Sequence, residues 1–101
     1  MAYTSRKNIT TAITQDLISA GDNVFPTSIN IANASTSSAV NVDLIINNCG
    51  NNYYIIRVHE ITTGSRFELD MTKINFDSSN SGGDSLRIKL SSAVPVDVLI
   101  K

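Results

Sequence analysis

The strongest indication of the fold is the stretch VNVDLII at residues 40–46, in which apolar and polar side chains alternate. Successive side chains of a β-strand point to opposite faces, so one face would carry Val40, Val42, Leu44 and Ile46. The same alternation returns at residues 86–90 and at residues 96–100. A period of two over several segments predicts half-buried strands and not amphipathic helices.

The composition favours strands along the whole chain, with 13 Ile, 7 Val and 9 Thr against 6 Leu and 2 Met. β-Branched side chains fit the pleated surface of a sheet. Segments rich in Asn, Ser and Gly, such as residues 47–52 and 77–84, separate the apolar runs. Many short strands joined by turns predict an all-β protein, an antiparallel β-sandwich of seven to eight strands, jelly-roll-like or immunoglobulin-like.

Length and charge limit the domain organisation and the partners. A chain of 101 residues supplies one core, so we expect an N-terminal arm over residues 1–8 and a single β-sandwich domain over residues 9–101. Arg6 and Lys7 are not followed by an apolar segment, and no apolar run is long enough for a transmembrane helix, so we expect no signal peptide and no membrane partner. The net charge of −1 favours no nucleic-acid partner.

One tetrapeptide matches a catalytic motif. Residues 83–86 read GDSL, a sequence that names a family of serine esterases. In those enzymes the motif lies early in an α/β chain, and a histidine near the C-terminus supplies the base. Here Ser85 lies late in the chain with no histidine after it, and a serine without a base is a weak nucleophile. We therefore expect a turn before a strand, and no enzyme.

The remaining candidate groups give no catalytic or metal-binding pattern. His59 is the only histidine and Cys49 the only cysteine, which excludes an intrachain disulfide. The loop Asp77–Asp84 is rich in oxygen ligands but lacks the EF-hand pattern, so calcium binding there is left open. We assign no catalytic residues, no metal ligands and no cofactor.

Some apolar residues have no place in a single core. If the alternating sets of residues 40–46 and 96–100 face inward, Ile45 and Leu99 point outward. The segment 53–58 is apolar on both faces, which leaves Tyr53 and Ile55 outside when the other set is buried. We expect these four residues to form a contact with copies of this chain or with neighbouring proteins.

The order of segments resembles a known family. The matching stretches are Ser28–Asn33, Val40–Ile46, Tyr53–Leu69, Gly83–Ile88 and Val96–Ile100. They are similar to short β-sandwich structural proteins of tailed bacteriophage virions, of the type found in phages of marine bacteria and cyanobacteria. The resemblance carries no catalytic residues.

The resemblance implies a role in assembly. The expected function is that of a non-enzymatic virion component, made in the host cytoplasm. It would be a capsid decoration or cement protein that binds the major capsid protein and its own copies as a homo-oligomer. Two alternatives stay open. One is a neck or tail component that binds neighbouring neck or tail proteins. The other is a free-standing carbohydrate-binding or calcium-dependent binding module.

Overall fold

A computed structural model describes residues 5–101, and these residues form eight β-strands and no helix. The strands are β1 (Ser5–Ile9), β2 (Gln15–Ile18), β3 (Ser28–Asn33), β4 (Val40–Asn48), β5 (Asn51–Ile61), β6 (Arg66–Asp70), β7 (Ser85–Leu90) and β8 (Val96–Ile100). The all-β prediction is therefore confirmed. Within residues 5–101, no helix has the length and apolar character needed to cross a membrane.

The strands form two four-stranded antiparallel sheets, with the orders β1-β8-β3-β6 and β2-β7-β4-β5. Strand β1 pairs with β8, β2 with β7, β3 with β6 and β4 with β5. The chain thus runs as one long hairpin of four strand pairs, and successive pairs fall in opposite sheets. This connectivity is that of a jelly roll, and it sets aside the immunoglobulin-like arrangement.

The core lies between the sheets and is built from alternate residues of the strands. Among residues 5–101, nine aliphatic side chains are completely buried: Ile29, Ile31, Val42, Leu44, Leu86, Ile88, Val96, Val98 and Ile100. Met71 and Phe76, from the segment between β6 and β7, add to the same cluster. The inward set predicted for residues 40–46 is confirmed, with Ile46 only partly buried at its end.

The boundary predicted at residue 9 needs a correction. Residues 5–8 belong to β1, which pairs with β8 from Ser5 opposite Ile100 to Ile9 opposite Val96. Their sequence is polar, but an edge strand is held by its backbone hydrogen bonds and does not need apolar side chains on both faces. The domain therefore includes residues 5–8, and residues 1–4 of the predicted arm lie outside the described residues.

Candidate functional site

The serine of the GDSL tetrapeptide has a structural position. Ser85 is the first residue of β7, is 8% exposed, and its Oγ accepts a hydrogen bond of 3.1 Å from the backbone N–H of Ala20. On the common neighbour β4, Ser85 lies opposite Asn47 and His59 lies opposite Val42. Five residues of strand correspond to roughly 17 Å, far beyond the hydrogen bond that a serine–histidine pair requires.

The polar atoms of the loop Asp77–Asp84 are used within the fold. Asp77 Oδ1 accepts a hydrogen bond from the N–H of Ser79 at 2.9 Å. The carboxylate of Asp84 accepts one from the N–H of Asp77 at 2.9 Å and another from Nδ2 of Asn48 at 2.8 Å. No group of three or more His, Cys, Asp or Glu side chains comes together in the described part of the chain. The loop's own geometry accounts for its many oxygen atoms.

Within this loop, a buried serine forms the connection to the loop that follows β2. Ser78 is 0% exposed, and its Oγ both donates to the carbonyl oxygen of Val24 and accepts from the N–H of Val24, each at 2.9 Å. Its carbonyl oxygen accepts the N–H groups of Gly21 and Asn23 at 2.9 and 3.0 Å. We call residues 19–24 and 77–85, joined in this way, the Ser78 junction.

Cys49 and His59 lie apart and in ordinary surroundings. Cys49 and Gly50 form the two-residue turn between β4 and β5, with φ angles of 52° and 82°. Two successive positive φ angles are those of a type I′ hairpin turn. The ring of His59 packs on Phe67 of β6, with ring centroids 4.3 Å apart. This contact helps close the sandwich where strands β5 and β6 meet.

The four residues predicted to form one contact surface do not lie together on one exposed face. Ile45 is only 3% exposed, because β4 is a central strand and the long side chains of Tyr54 and Arg87 lie opposite it on both neighbours. Leu99 lies on β8, in the other sheet, so its outward side faces away from the sheet of β4 and β5. Tyr53 is 58% exposed and Ile55 is partly buried against the core.

The exposed apolar residues instead concentrate on strand β5. Among the described residues, five large hydrophobic side chains are exposed, and β5 carries three of them: Tyr53, Tyr54 and Val58 at 58%, 45% and 61%. The guanidinium of Arg57 lies over the Tyr54 ring, 4.7 Å from its centroid. Tyr54 and Val58 were not among the predicted contact residues, although the apolar excess on both faces of residues 53–58 pointed to this strand.

A bulge interrupts the same strand. The pairing with β4 shifts register between Val42 and Leu44 and again between Leu44 and Ile45. At the first shift Val58 has a φ of 54°, and its N–H donates to Asp43 Oδ1 at 2.6 Å. A positive φ is unusual for a β-branched residue and marks local strain. The ladder is regular from Asn51 to Tyr54 and again from His59 to Ile61, and the bulge lies between these two stretches.

Comparison with protein-family models, with curated proteins and with solved structures gave no match for this chain. The fold alone does not specify a function, because jelly rolls occur in capsid proteins, lectins and cupins. The surface is more distinctive than the fold. Its most unusual feature is the exposed apolar edge of β5.

Proposed function

We propose that this protein is a non-enzymatic structural protein of a tailed phage virion, a capsid decoration or cement protein. It would bind the major capsid protein and its own copies. The observation that carries the proposal is the edge of β5, which holds three of the five exposed large hydrophobic side chains of the described residues. The resemblance of residues 28–33, 40–46, 53–69, 83–88 and 96–100 to phage virion proteins supports the same role.

The core of the domain is buried without a partner chain. The domain's accessible surface of 5599 Å² is close to the roughly 5,600 Å² that a compact monomer of this mass has. Within the part of the chain that the structure describes, 19 apolar residues are buried without help from another chain. Such a protein suits addition to a preformed particle, since it docks as a folded unit and contributes surface contacts. Tyrosine and arginine, both present on β5, are the residue types that dominate such contacts.

A second candidate is a carbohydrate-binding module, favoured by the neighbouring exposed rings of Tyr53 and Tyr54. Sugars stack on open aromatic faces. One face of Tyr54 is already covered by the Arg57 guanidinium at 4.7 Å, which leaves Tyr53 as the better platform. For this reason the module ranks second. A ligand-dependent rise of the melting temperature on a glycan panel would favour it over the virion role.

Quantitative mass spectrometry of purified particles tests the proposal. We expect the chain at a fixed number of copies per major capsid protein, and we expect added wild-type protein to bind particles that lack it. Tyr53→Lys should bind them at least tenfold more weakly. Phe25→Lys is the matched control, because Phe25 is 56% exposed and lies outside β5. Absence of the chain from washed particles would contradict the virion role.

A further inference from the structure

The four edge strands of the two sheets are not alike. Strands β1, β2 and β6 have five, four and five residues. Each carries at least one charged residue, such as Arg6, Asp16 or Glu68. Short length and charge are the devices that keep the edge of a sheet from pairing with another chain. Three of the four edges of this sandwich are therefore protected.

In strand β5 such protection is confined to the second half, which carries Arg57, Glu60 and the bulge at Val58. The strand has eleven residues, contains no Lys or Pro, and carries no charge from Asn51 to Ile56. Its ladder with β4 is regular in two stretches. All four positions of Asn51–Tyr54 are exposed and uncharged, whereas His59–Ile61 carries the charge of Glu60 and ends on the buried Ile61. Between these stretches, the bulge at Val58 bends the strand, because bulged strands twist away from regular pairing. The pairing-competent part of this edge is thus the segment next to the hairpin turn.

We infer that the β5 edge binds a second copy of this chain, with the Asn51–Tyr54 segments antiparallel across a two-fold axis. The free N–H and C=O groups of an edge strand are satisfied best by another strand. In antiparallel self-pairing, each uncharged residue of the segment faces another uncharged residue, while Arg57 lies outside it. The β2-β7-β4-β5 sheet of one copy and the same sheet of the other copy would join into one eight-stranded sheet.

A second copy fits this edge better than an unrelated strand. A two-fold contact uses the same surface on both partners, so one exposed patch completes the interface without a complementary patch elsewhere. Tyr53 and Tyr54 of both copies would then add four rings to the contact. The segment is short, so we expect a dimer that dissociates at micromolar concentrations or above. The purpose of this self-contact rests on the proposed assembly role, in which it would hold neighbouring copies together on a particle.

Sedimentation velocity on the full chain tests the self-contact without particles. We expect the wild type to shift from monomer to dimer as its concentration rises to about 1 mM. Tyr53→Lys and, separately, Tyr54→Lys should weaken the dimer at least tenfold, because lysine is a natural blocker of sheet edges. Phe25→Lys should leave it unchanged. Circular dichroism and the melting temperature should show that all three variants remain folded.

The single cysteine reports the geometry. Cys49 is exposed at the hairpin tip, two residues before Asn51, so it can carry a spin label. Antiparallel pairing centred within residues 51–54 places the two Cys49 positions roughly 20–30 Å apart, at about 3.4 Å per residue. Double electron–electron resonance should give this distance in the wild-type dimer and lose it in Tyr53→Lys.

Two results would overturn the inference. A wild type that stays monomeric at 1 mM would show that the edge does not self-associate. If Tyr53→Lys then also lost particle binding, the β5 edge would be the site of a different protein, and the proposed virion role would stand. A dimer that is broken by Phe25→Lys but not by either lysine on β5 would place the contact elsewhere.

Discussion

The Ser78 junction is polar and the β5 edge is largely apolar, yet the centre of the junction is buried and the β5 edge is exposed. The junction is polar, yet Ser78 is completely buried and its polar atoms bond to neighbouring backbone. The β5 edge has the apolar sequence YYIIRV at residues 53–58, yet Tyr53, Tyr54 and Val58 are among the most exposed hydrophobic residues. The polar residues of the junction therefore hold the fold together, and the apolar residues of the β5 edge form part of the surface.

The reason for this difference is strand order. A polar residue in a loop is free for a ligand only when the loop's own N–H groups do not use it. An apolar residue in a strand is buried only when the strand has neighbours and a facing sheet. Both conditions depend on contacts between residues distant in sequence. One example is the hydrogen bond between Val24 and Ser78, which are 54 residues apart.

The largest effect is expected at the centre of the junction. Ser78→Ala removes a hydroxyl that bonds both the N–H and the carbonyl oxygen of Val24, and it leaves these two partly buried groups without that partner. We expect the free energy of unfolding to fall by about 3 kcal/mol, measured by urea denaturation. Ser81→Ala is the control, because Ser81 lies in the same loop and is exposed, and it should change stability by less than about 0.5 kcal/mol. Equal effects of the two variants would contradict the structural role of the junction.

A second prediction concerns the close packing of the same loop. A Cβ atom at Gly83 would lie 2.6 Å from the carbonyl oxygen of Asp77 and 3.0 Å from that of Asn80. Gly83→Ala should therefore lower the free energy of unfolding by about 2 kcal/mol. At the neighbouring Gly82 the nearest atom is the Asn80 side chain at 3.4 Å, so Gly82→Ala should be nearly neutral. Thermal unfolding of both variants separates the effect of the close contact at Gly83 from the general effect of replacing a glycine by alanine. A neutral Gly83→Ala would show that the loop can relax.

The sequence predicted the fold class because that information is local. Alternation at residues 40–46 and turn residues at 47–52 specify a strand and a hairpin turn, and the structure has both. It could not identify the edges, because strand order depends on long-range pairing. For that reason Ile45 was expected outside and is buried, and Leu99 was grouped with strands of the opposite sheet. The polar strand β1 escaped notice because its side chains carry no alternating apolar pattern.

On the β5 edge, the strain at Val58 predicts a gain in stability. Its φ of 54° suits Asn or Gly far better than a β-branched residue, and its side chain is 61% exposed. Val58→Asn should raise the free energy of unfolding by up to about 1 kcal/mol, measured at concentrations where the chain is monomeric. Val58→Ala is the control, since alanine keeps most of the penalty for a positive φ and should give no gain. A loss of stability in Val58→Asn would mean that the valine side chain, and not the bulge, is what matters at this position.

The smallest effect concerns the acid sensitivity of the junction. The hydroxyl and then the N–H of Ser79 lower the pKa of Asp77 below its ordinary value, because they bond the charged carboxylate. A carboxyl group whose pKa is lower in the folded state stabilises the fold above its unfolded pKa, and this stability is lost as the pH falls through the folded pKa. Asp77→Asn keeps an oxygen acceptor for the Ser79 N–H but does not titrate. We therefore expect the wild type to be the more stable of the two at pH 6 and the difference to disappear in strong acid.

A comparison with Asp70 sharpens this last prediction. The hydroxyl and N–H of Thr72 bond Asp70 in the same way and lower its pKa, but Asp70 lies at the end of β6, outside the junction. Urea denaturation of Asp70→Asn and Asp77→Asn between pH 2 and 6 should give two curves of the same shape, because both carboxylates are exposed and accept the same pair of donors. If only Asp77→Asn lost its difference from the wild type in acid, the two hydrogen bonds from Thr72 would not make the charge of Asp70 stabilise the fold in the same way. A difference that stayed constant with pH for both variants would mean that hydrogen-bond geometry, and not charge, stabilises these turns.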